Sequence, residues 1–196
     1  MKTLLFAILL SVVASTFVSG QDMPKNQTYF GYELQRAPFS YFGYTNPSRH
    51  NLNGLTFSDT LRGYKWLGIE GNASIGYRGF SGIGVQNIYF MSGPHVEYAF
   101  GRFAPYGHFL LGMDRLHIAS MGSFNAFAIG GGCGASVYLT KHFGLSSGID
   151  YFHASKYGIG FNSFRATGGP IFAWGGTSHI TAHDKDAEYL RRLQQR

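Results

Sequence analysis

The sequence contains a single cysteine, Cys133, so no disulfide can form within the chain. Charged residues make up only 13% of it, and the basic ones form no block of the kind that binds nucleic acid. Beyond residue 20, no apolar run approaches the roughly 20 residues that a membrane-spanning helix needs. These absences argue against a disulfide-stabilised secreted domain, a nucleic-acid-binding protein and a helical membrane protein.

The first 20 residues have the pattern of a secretory signal peptide. Lys2 precedes an apolar run over residues 4–14, and small residues at 18–20 suit a cleavage site. We therefore expect a signal peptide over residues 1–20, one folded domain over 21–176 and a polar tail over 177–196.

Glycine and aromatic residues are abundant, with 28 Gly, 18 Phe and 13 Tyr. Closed β-sheets have such a composition, because glycine fits crowded positions and aromatic side chains face an apolar surrounding. The net charge of +6 fits contact with anionic lipid or saccharide, although solubility alone would also explain it.

Apolar and polar residues alternate along the mature chain with a period of two, which is typical of strands with two different faces. Within residues 66–78, for example, Leu67, Ile69 and Ile75 share one face, whereas Glu70 and Asn72 share the other. This alternation predicts eight strands, over residues 28–36, 53–64, 66–78, 87–100, 105–115, 127–139, 143–151 and 164–174. Long loops over 37–52, 79–86, 116–124 and 154–163 are expected to alternate with short turns.

A glycine-rich stretch at 125–140 has the look of a phosphate-binding loop. The apolar residues Phe127, Ile129 and Val137 nevertheless alternate with smaller ones through the whole stretch. We interpret it as a strand with its glycines at 130, 132 and 134 on the crowded face.

The polar faces carry small and charged groups in place of Leu, Ile and Val, so they cannot form the core of a soluble sandwich. The apolar faces must then point outward and be covered by lipid. The predicted fold is all-β, an eight-stranded antiparallel up-and-down transmembrane β-barrel.

Alternation places seven charged residues in the barrel interior: Glu33, Arg62, Glu70, Arg78, Glu97, Asp150 and Arg165. Eight strands enclose just enough room for side chains, so a wide pore is not expected. Buried charges of both signs must pair, and we expect Arg62 and Arg165 to pair with Glu70, Glu97 and Asp150. Such a network is either a static polar core or the gate of a small ion path.

Five stretches, at 51–77, 87–100, 103–112, 127–153 and 164–174, resemble in order and spacing the small OmpA-like outer-membrane barrels that lack a peptidoglycan-binding domain. The resemblance covers roughly residues 28–175. It implies a monomeric, non-catalytic barrel in a bacterial outer membrane, with its loops extracellular and its termini, including the tail, in the periplasm.

The resemblance also implies partners. These are outer-membrane lipid, lipopolysaccharide and the barrel-assembly machinery, which reads an aromatic residue near the end of such barrels. Phe172 and Trp174 occupy matching positions, although the chain continues beyond them. Neither a cofactor nor nucleic acid is implied, and the expected role is envelope integrity, surface contact or adhesion.

One motif favours chemistry instead. His153 and Ser155 share a strand face, and a His-x-Ser at this place is similar to the lipid A deacylases of the PagL type, which are also eight-stranded barrels. Lys156 stands where that family has Asn, and residues 162–174 contain no acid to orient the histidine. An outer-leaflet lipid esterase therefore stands as an alternative to the non-catalytic role, beside a small gated ion channel.

Some residues do not fit a simple barrel. His179 and His183 have the spacing of helix-borne metal ligands, but no cysteine or further histidine completes a site, so no metal site is predicted. Asp59 falls on the lipid-facing side, and Pro94 and Pro170 lack the amide proton that a closed ladder uses. We expect β-bulges to relieve these conflicts.

Overall fold

The chain forms one closed sheet of eight antiparallel strands, as predicted. The computed structural model describes residues 23–38, 49–80, 83–119, 122–156 and 159–177. Each strand pairs with its neighbours in sequence, and the last strand pairs with the first to close the barrel. The strands are β1 (Pro24–Pro38), β2 (Arg49–Arg62), β3 (Leu67–Phe80), β4 (Ile83–Glu97), β5 (Phe103–Ile118), β6 (Gly122–Tyr138), β7 (Phe143–Lys156) and β8 (Ile159–Thr177).

The two ends of the barrel differ in their connections. We call the end that holds Pro24, Thr177 and the turns 63–66, 98–102 and 139–142 the terminus end, and the opposite end the loop end. Three hairpins at the loop end stay paired almost to their tips, through Phe80 with Ile83, Ile118 with Gly122 and Lys156 with Ile159. The long loops expected at 79–86, 116–124 and 154–163 were therefore wrong, because backbone pairing continues where the alternation of side chains fades.

The outer wall, meaning the outward-facing side chains of all eight strands, is strongly apolar. Leu55, Ile69 and Ile149 expose 64–66% of their surface. Exposed aromatic residues flank this band towards both ends: Trp66, Tyr98, Phe103 and Trp174 near the terminus end, and Tyr77, Phe127, Tyr151 and Phe164 nearer the loop end. Outer-membrane barrels typically present to the bilayer an apolar band about 25 Å tall between two girdles of aromatic residues, and this outer wall has the same pattern. Within the described residues, no helix is long and apolar enough to cross a membrane.

The alternate glycines of β6, Gly130, Gly132 and Gly134, face the crowded interior. A Cβ atom at Gly132 would collide with the Asp150 carboxylate and lie 2.8 Å from Nε2 of His108. A Cβ atom at Gly130 would strike the ring of Phe152. Both positions therefore need glycine because larger side chains from neighbouring strands fill the space above them.

The expected β-bulges at the misfit residues are absent from the described strands, and that expectation was wrong. The register shift in these strands lies between Pro24 and Asn26. Pairing around Pro94 stops between Ser92 and His95, and resumes without an offset. The ladder between β1 and β8 skips Pro170 in the same way. Each proline thus occupies a gap in one ladder, where its missing amide proton removes no bond.

Asp59 stays on the outer wall in regular register, opposite Thr28. It lies three residues before the end of β2, and Oγ1 of Thr28 donates a hydrogen bond of 2.8 Å to its carboxylate. Proximity to the barrel end and this donor accommodate the charge without a bulge, because the cost of a charge on the lipid face falls towards the interface.

Side chains fill the interior in three layers. An apolar cluster lies towards the loop end, formed by Tyr89, Met91, Leu110, Ala126, Ala128, Phe152 and Ala154. A second lies at the terminus end, formed by Met23, Ala99, Ala104, Tyr138, Ile171 and Ala173. Most of the buried charged residues occupy the space between the two clusters, and Asp114 lies beside Tyr89 in the loop-end cluster.

Candidate functional site

A chain of eight charged or titratable side chains crosses the interior between the two apolar clusters. We call it the central network; its members are Arg62, Glu97, His95, Glu70, His108, Asp150, Arg165 and Glu33. All lie at inward positions of their strands, where the alternation that makes the outer wall apolar makes the inner face polar.

Arg62 anchors the network at the terminus end. Its guanidinium pairs with the Glu97 carboxylate and also contacts Oε1 of Gln27. The same guanidinium donates a hydrogen bond of 2.9 Å to the carbonyl of Pro24. Both charged side chains of this pair are fully buried. Arg62 is thereby bound to both the network and the first residues of β1.

Arg165 anchors the opposite end. Its Nε donates a 2.7 Å hydrogen bond to the Asp150 carboxylate, and its Nη1 donates a 3.0 Å bond to Oδ1 of Asn72. Nη1 also lies 3.6 Å from the Glu33 carboxylate. The guanidinium carbon stands 4.7 Å from the ring centre of Phe152, in a cation–π contact with the loop-end apolar cluster.

Glu70 lies at the middle of the network, and its partners are histidines. Oε2 of Glu70 lies 2.8 Å from Nδ1 of His95 and 2.8 Å from Nδ1 of His108. The second ring nitrogen of His108 lies 2.9 Å from the Asp150 carboxylate. The expected pairing of Glu70 with an arginine was wrong, because two histidines contact it and connect it to the acidic residues on either side.

Six of the seven charged residues expected inside belong to the central network. The seventh, Arg78, lies near the loop end, where its Nη1 donates a 3.1 Å hydrogen bond to the carbonyl of Asn51. His95 and His108 were not expected as members of the network. Their signal was the inward position of His95 on β4, directly opposite His108 on β5.

The other candidate residues lie outside the interior. His153 is near the loop-end edge of β7, and its Nδ1 lies 2.6 Å from Oδ1 of Asn162 on β8. Ser155 is exposed two residues further on. In the described part of the chain, the His153 ring is oriented by this amide and not by an acid.

Phe172 and Trp174 face outward near the terminus end. The indole nitrogen of Trp174 donates a 2.9 Å hydrogen bond to Oγ1 of Thr28. Gly175 and Gly176 follow with φ of 84° and 73°, a backbone conformation that glycine adopts readily. Recognition of Phe172 and Trp174 by the assembly machinery stays a prediction. Residues 1–20, expected to form a signal peptide, lie outside the described residues, as do His179 and His183.

No protein-family model and no curated protein sequence matches the chain. Several solved structures do. Neisserial surface protein A (NspA) is 12% identical, with a TM-score of 0.63 over 80% of this chain and all of that one. OprG of Pseudomonas aeruginosa is 11% identical, with a TM-score of 0.55 over 80% of this chain and 99% of that one.

Ail, the attachment invasion locus protein of Yersinia pestis, is 14% identical, with a TM-score of 0.52 over 76% of this chain and 99% of that one. These three structures are small eight-stranded outer-membrane barrels. The fold of this chain is therefore that of the small outer-membrane barrels, and the resemblance inferred from the sequence is confirmed at the level of the fold.

Proposed function

We propose that this protein is a non-catalytic outer-membrane surface barrel whose loop end contacts anionic saccharides. An apolar outer wall supports the membrane location, because Ile69 and Ile149 would otherwise expose about two thirds of their surface to water. The interior supports a closed barrel in place of an ion channel, because the side chains of the two apolar clusters and of the central network fill the space inside the strands.

The observation that carries the proposal is the sign of the charges at the loop end. The four loop-end segments, meaning the strand ends together with the connections between them, span residues 36–50, 78–87, 115–125 and 153–163 and contain no Asp or Glu. Their basic residues are Arg36, Arg49, Arg78, Arg115 and Lys156. Arg36 and Arg115 are exposed. The nearby acid, Asp114, is 8% exposed and faces inward. The outer surface of the loop end is thus basic, as recognition of sulfated or phosphorylated saccharide requires.

An anionic saccharide is the ligand that best fits the position of the loop end. The loop end of an outer-membrane barrel meets lipopolysaccharide, whose core carries phosphate groups, and then the surfaces of other cells. Ail, which shares this fold, was solved in complex with sucrose octasulfate, a heparin analogue. Each basic side chain near an anionic surface contributes about 1 kcal/mol at physiological ionic strength.

A charge-matched pair of variants tests the proposal. Replacing Arg36, Arg78 and Arg115 by Gln removes three charges from the loop end, and replacing Lys65, Arg102 and Lys141 by Gln removes three from the terminus end. We expect the loop-end variant to bind immobilised heparin about 100-fold more weakly, corresponding to about 1 kcal/mol per residue, with the terminus-end variant close to the parent. Equal losses in both variants would indicate attraction by net charge alone and contradict a loop-end site.

The contact between His153 and Asn162 favours a second candidate, an outer-leaflet lipid esterase. An amide oxygen 2.6 Å from Nδ1 can orient the ring so that Nε2 acts as a base towards Ser155. Mass spectrometry of lipid A from cells with and without the protein tests this candidate. Loss of an acyl chain that depends on both His153 and Ser155 would establish the esterase, whereas identical lipid A would remove it.

A further inference from the structure

We propose that Glu70, His95 and His108 form a binding site for one divalent transition-metal cation inside the barrel. The proposal goes beyond the surface role above and does not depend on it. Oε2 of Glu70 lies 2.8 Å from Nδ1 of each histidine. The three donor atoms all lie within 4.8 Å of one another.

The donor set selects the class of cation. Two imidazole nitrogens and one carboxylate oxygen suit Zn²⁺ and its first-row neighbours, whereas Ca²⁺ and Mg²⁺ prefer oxygen donors alone. Bonds of about 2.0–2.2 Å in a tetrahedron place neighbouring donor atoms roughly 3.3 Å apart. Each Nδ1 therefore moves away from the Glu70 carboxylate by about 0.5 Å when a cation binds, and the two imidazoles, whose donor atoms lie within 4.8 Å of each other, close around the cation.

The strands hold these donors together before any cation binds. His95 on β4 and His108 on β5 are direct cross-strand partners. Gly93 is the cross-strand neighbour of Glu70 and has no side chain, so Glu70 can reach across β4 towards His108. A rigid sheet thus fixes all three ligands, which reduces the ordering cost of binding.

The outer contact of His108 matches that of a metal ligand, whereas His95 has only a longer approach to a carboxylate, without a hydrogen bond. A metal-bound histidine commonly donates its second ring N–H to a carboxylate, which orients the ring. Nε2 of His108 lies 2.9 Å from the Asp150 carboxylate, and Nε2 of His95 lies 3.6 Å from the Glu97 carboxylate. Each of these carboxylates is held in turn by an arginine of the central network.

The charges of the central network also admit a cation. Four carboxylates, those of Glu33, Glu70, Glu97 and Asp150, face two guanidinium groups. With neutral histidines, two negative charges are left over in a space with little water, which is unfavourable. One divalent cation balances these two negative charges. Two protons, one on each histidine ring, balance them equally, so replacement of the protons by the cation keeps the interior neutral.

Space for a fourth ligand is present beside the donors. A cavity of about 30 Å³ is lined by Glu70, His95 and His108 together with Tyr106 and Asn72. This volume suits a single water molecule. Two histidines, one glutamate and one water complete the four-coordinate arrangement that Zn²⁺ favours.

The test must load the cation during folding, because the apolar clusters cover the network on both sides. The mature chain is refolded into detergent micelles with equimolar ZnCl₂, folding is verified by a heat-modifiability gel, and loosely bound metal is removed on a chelating resin. We expect the parent to retain about one Zn²⁺ per barrel, measured by elemental mass spectrometry. When Co²⁺ replaces Zn²⁺, we expect the visible absorption spectrum of a four-coordinate Co²⁺ ion.

Variants distinguish an interior site from surface binding. His108→Asn is expected to lose the retained metal, and Asp150→Asn to weaken binding by about 10–100-fold, as loss of a partner of a metal-bound histidine does. His117→Ala is the matched control on the same strand, because its ring contacts Ser123 outside the network.

Two results would overturn the proposal. One is a folded parent that retains no Zn²⁺ and shows no four-coordinate Co²⁺ spectrum; this result needs no variant to fold. The other is metal retention that His108→Asn and His117→Ala change equally. In either case the histidines serve only as partners in the ion-pair network, and the proposed saccharide contact at the loop end is unaffected.

Discussion

All eight strands contribute to the outer wall, and seven of them, all but β6, also supply side chains to the central network. Outward and inward residues alternate along each of these strands. On the wall, Ile149 needs only to be apolar, because lipid adapts to any shape that it presents. In the interior, Asp150 has two defined partners, Arg165 at 2.7 Å and His108 at 2.9 Å.

This difference teaches where specificity resides in a small barrel. The middle of the wall suits most apolar residues and disfavours charge, which is accommodated only near the barrel ends, as at Asp59. The interior accommodates charge only in matched sets. Stability measurements in lipid vesicles can test the contrast, using urea unfolding followed by the fluorescence of the two tryptophans, Trp66 and Trp174.

The largest effect is expected for Arg165→Met. This change leaves Asp150 and Glu33 buried without their cation, and removal of one partner from a buried ion pair costs about 3–5 kcal/mol. The wall variant Phe164→Leu is the neighbouring control and should cost less than about 1.5 kcal/mol. Adding Asp150→Asn to Arg165→Met should recover part of the loss. Equal costs for Arg165→Met and Phe164→Leu would contradict the contrast.

A charge on the wall is expected to have the next largest effect. Ile149→Arg places a cation in the apolar band, at a cost of up to about 2–4 kcal/mol in the free energy of unfolding from the bilayer. Ile149→Leu should leave that free energy nearly unchanged. If the arginine variant is as stable as the leucine variant, lipid does not cover this face.

Two adjacent glycines provide a sharper comparison. Gly132→Ala inserts a methyl group between His108 and Asp150, and overpacking of this kind costs about 1–3 kcal/mol. Gly131→Ala points to the wall, where the added carbon meets its nearest neighbour at an ordinary 3.4 Å. We expect Gly131→Ala to be neutral in the same unfolding assay. Similar costs at both positions would contradict the assigned faces.

The smallest effect is expected for a hydrogen-bonded pair on the outer wall near the terminus end. Thr28→Val removes the hydrogen bond to the Asp59 carboxylate and also the acceptor of the Trp174 indole N–H, and we expect a loss of about 1 kcal/mol from the bond to Asp59. A double-mutant cycle with Asp59→Asn measures the coupling between the two side chains. Additive losses would indicate that the bond contributes nothing.

Alternation predicted the faces of the strands well, because a period of two is a local property that survives wherever the backbone has no bulge. It placed Glu33, Arg62 and Glu97 inside, where the structure also has them. It missed His108 because the neighbouring Phe109, Leu110 and Leu111 interrupt the pattern with three apolar residues in a row.

The pairing of interior charges was only partly predictable. Asp150 and Arg165 are direct cross-strand partners, so register within one hairpin brings them together. The contacts of Glu70 with His108 and of Arg62 with Glu97 cross between strands that are not neighbours. Such contacts depend on the stagger with which the barrel closes, and stagger is a property of all eight strands together.

The contact between Arg165 and Glu33 has a consequence for the order of events during insertion into the membrane. Arg165 belongs to the last strand and Glu33 to the first, so they meet only when the two ends of the sheet join. Before the sheet closes, the Arg165 guanidinium lacks the Glu33 carboxylate as a partner, and this ion pair does not stabilise a partly assembled sheet. Closure of the barrel therefore forms this ion pair, which makes the closed barrel resist separation of β8 from β1.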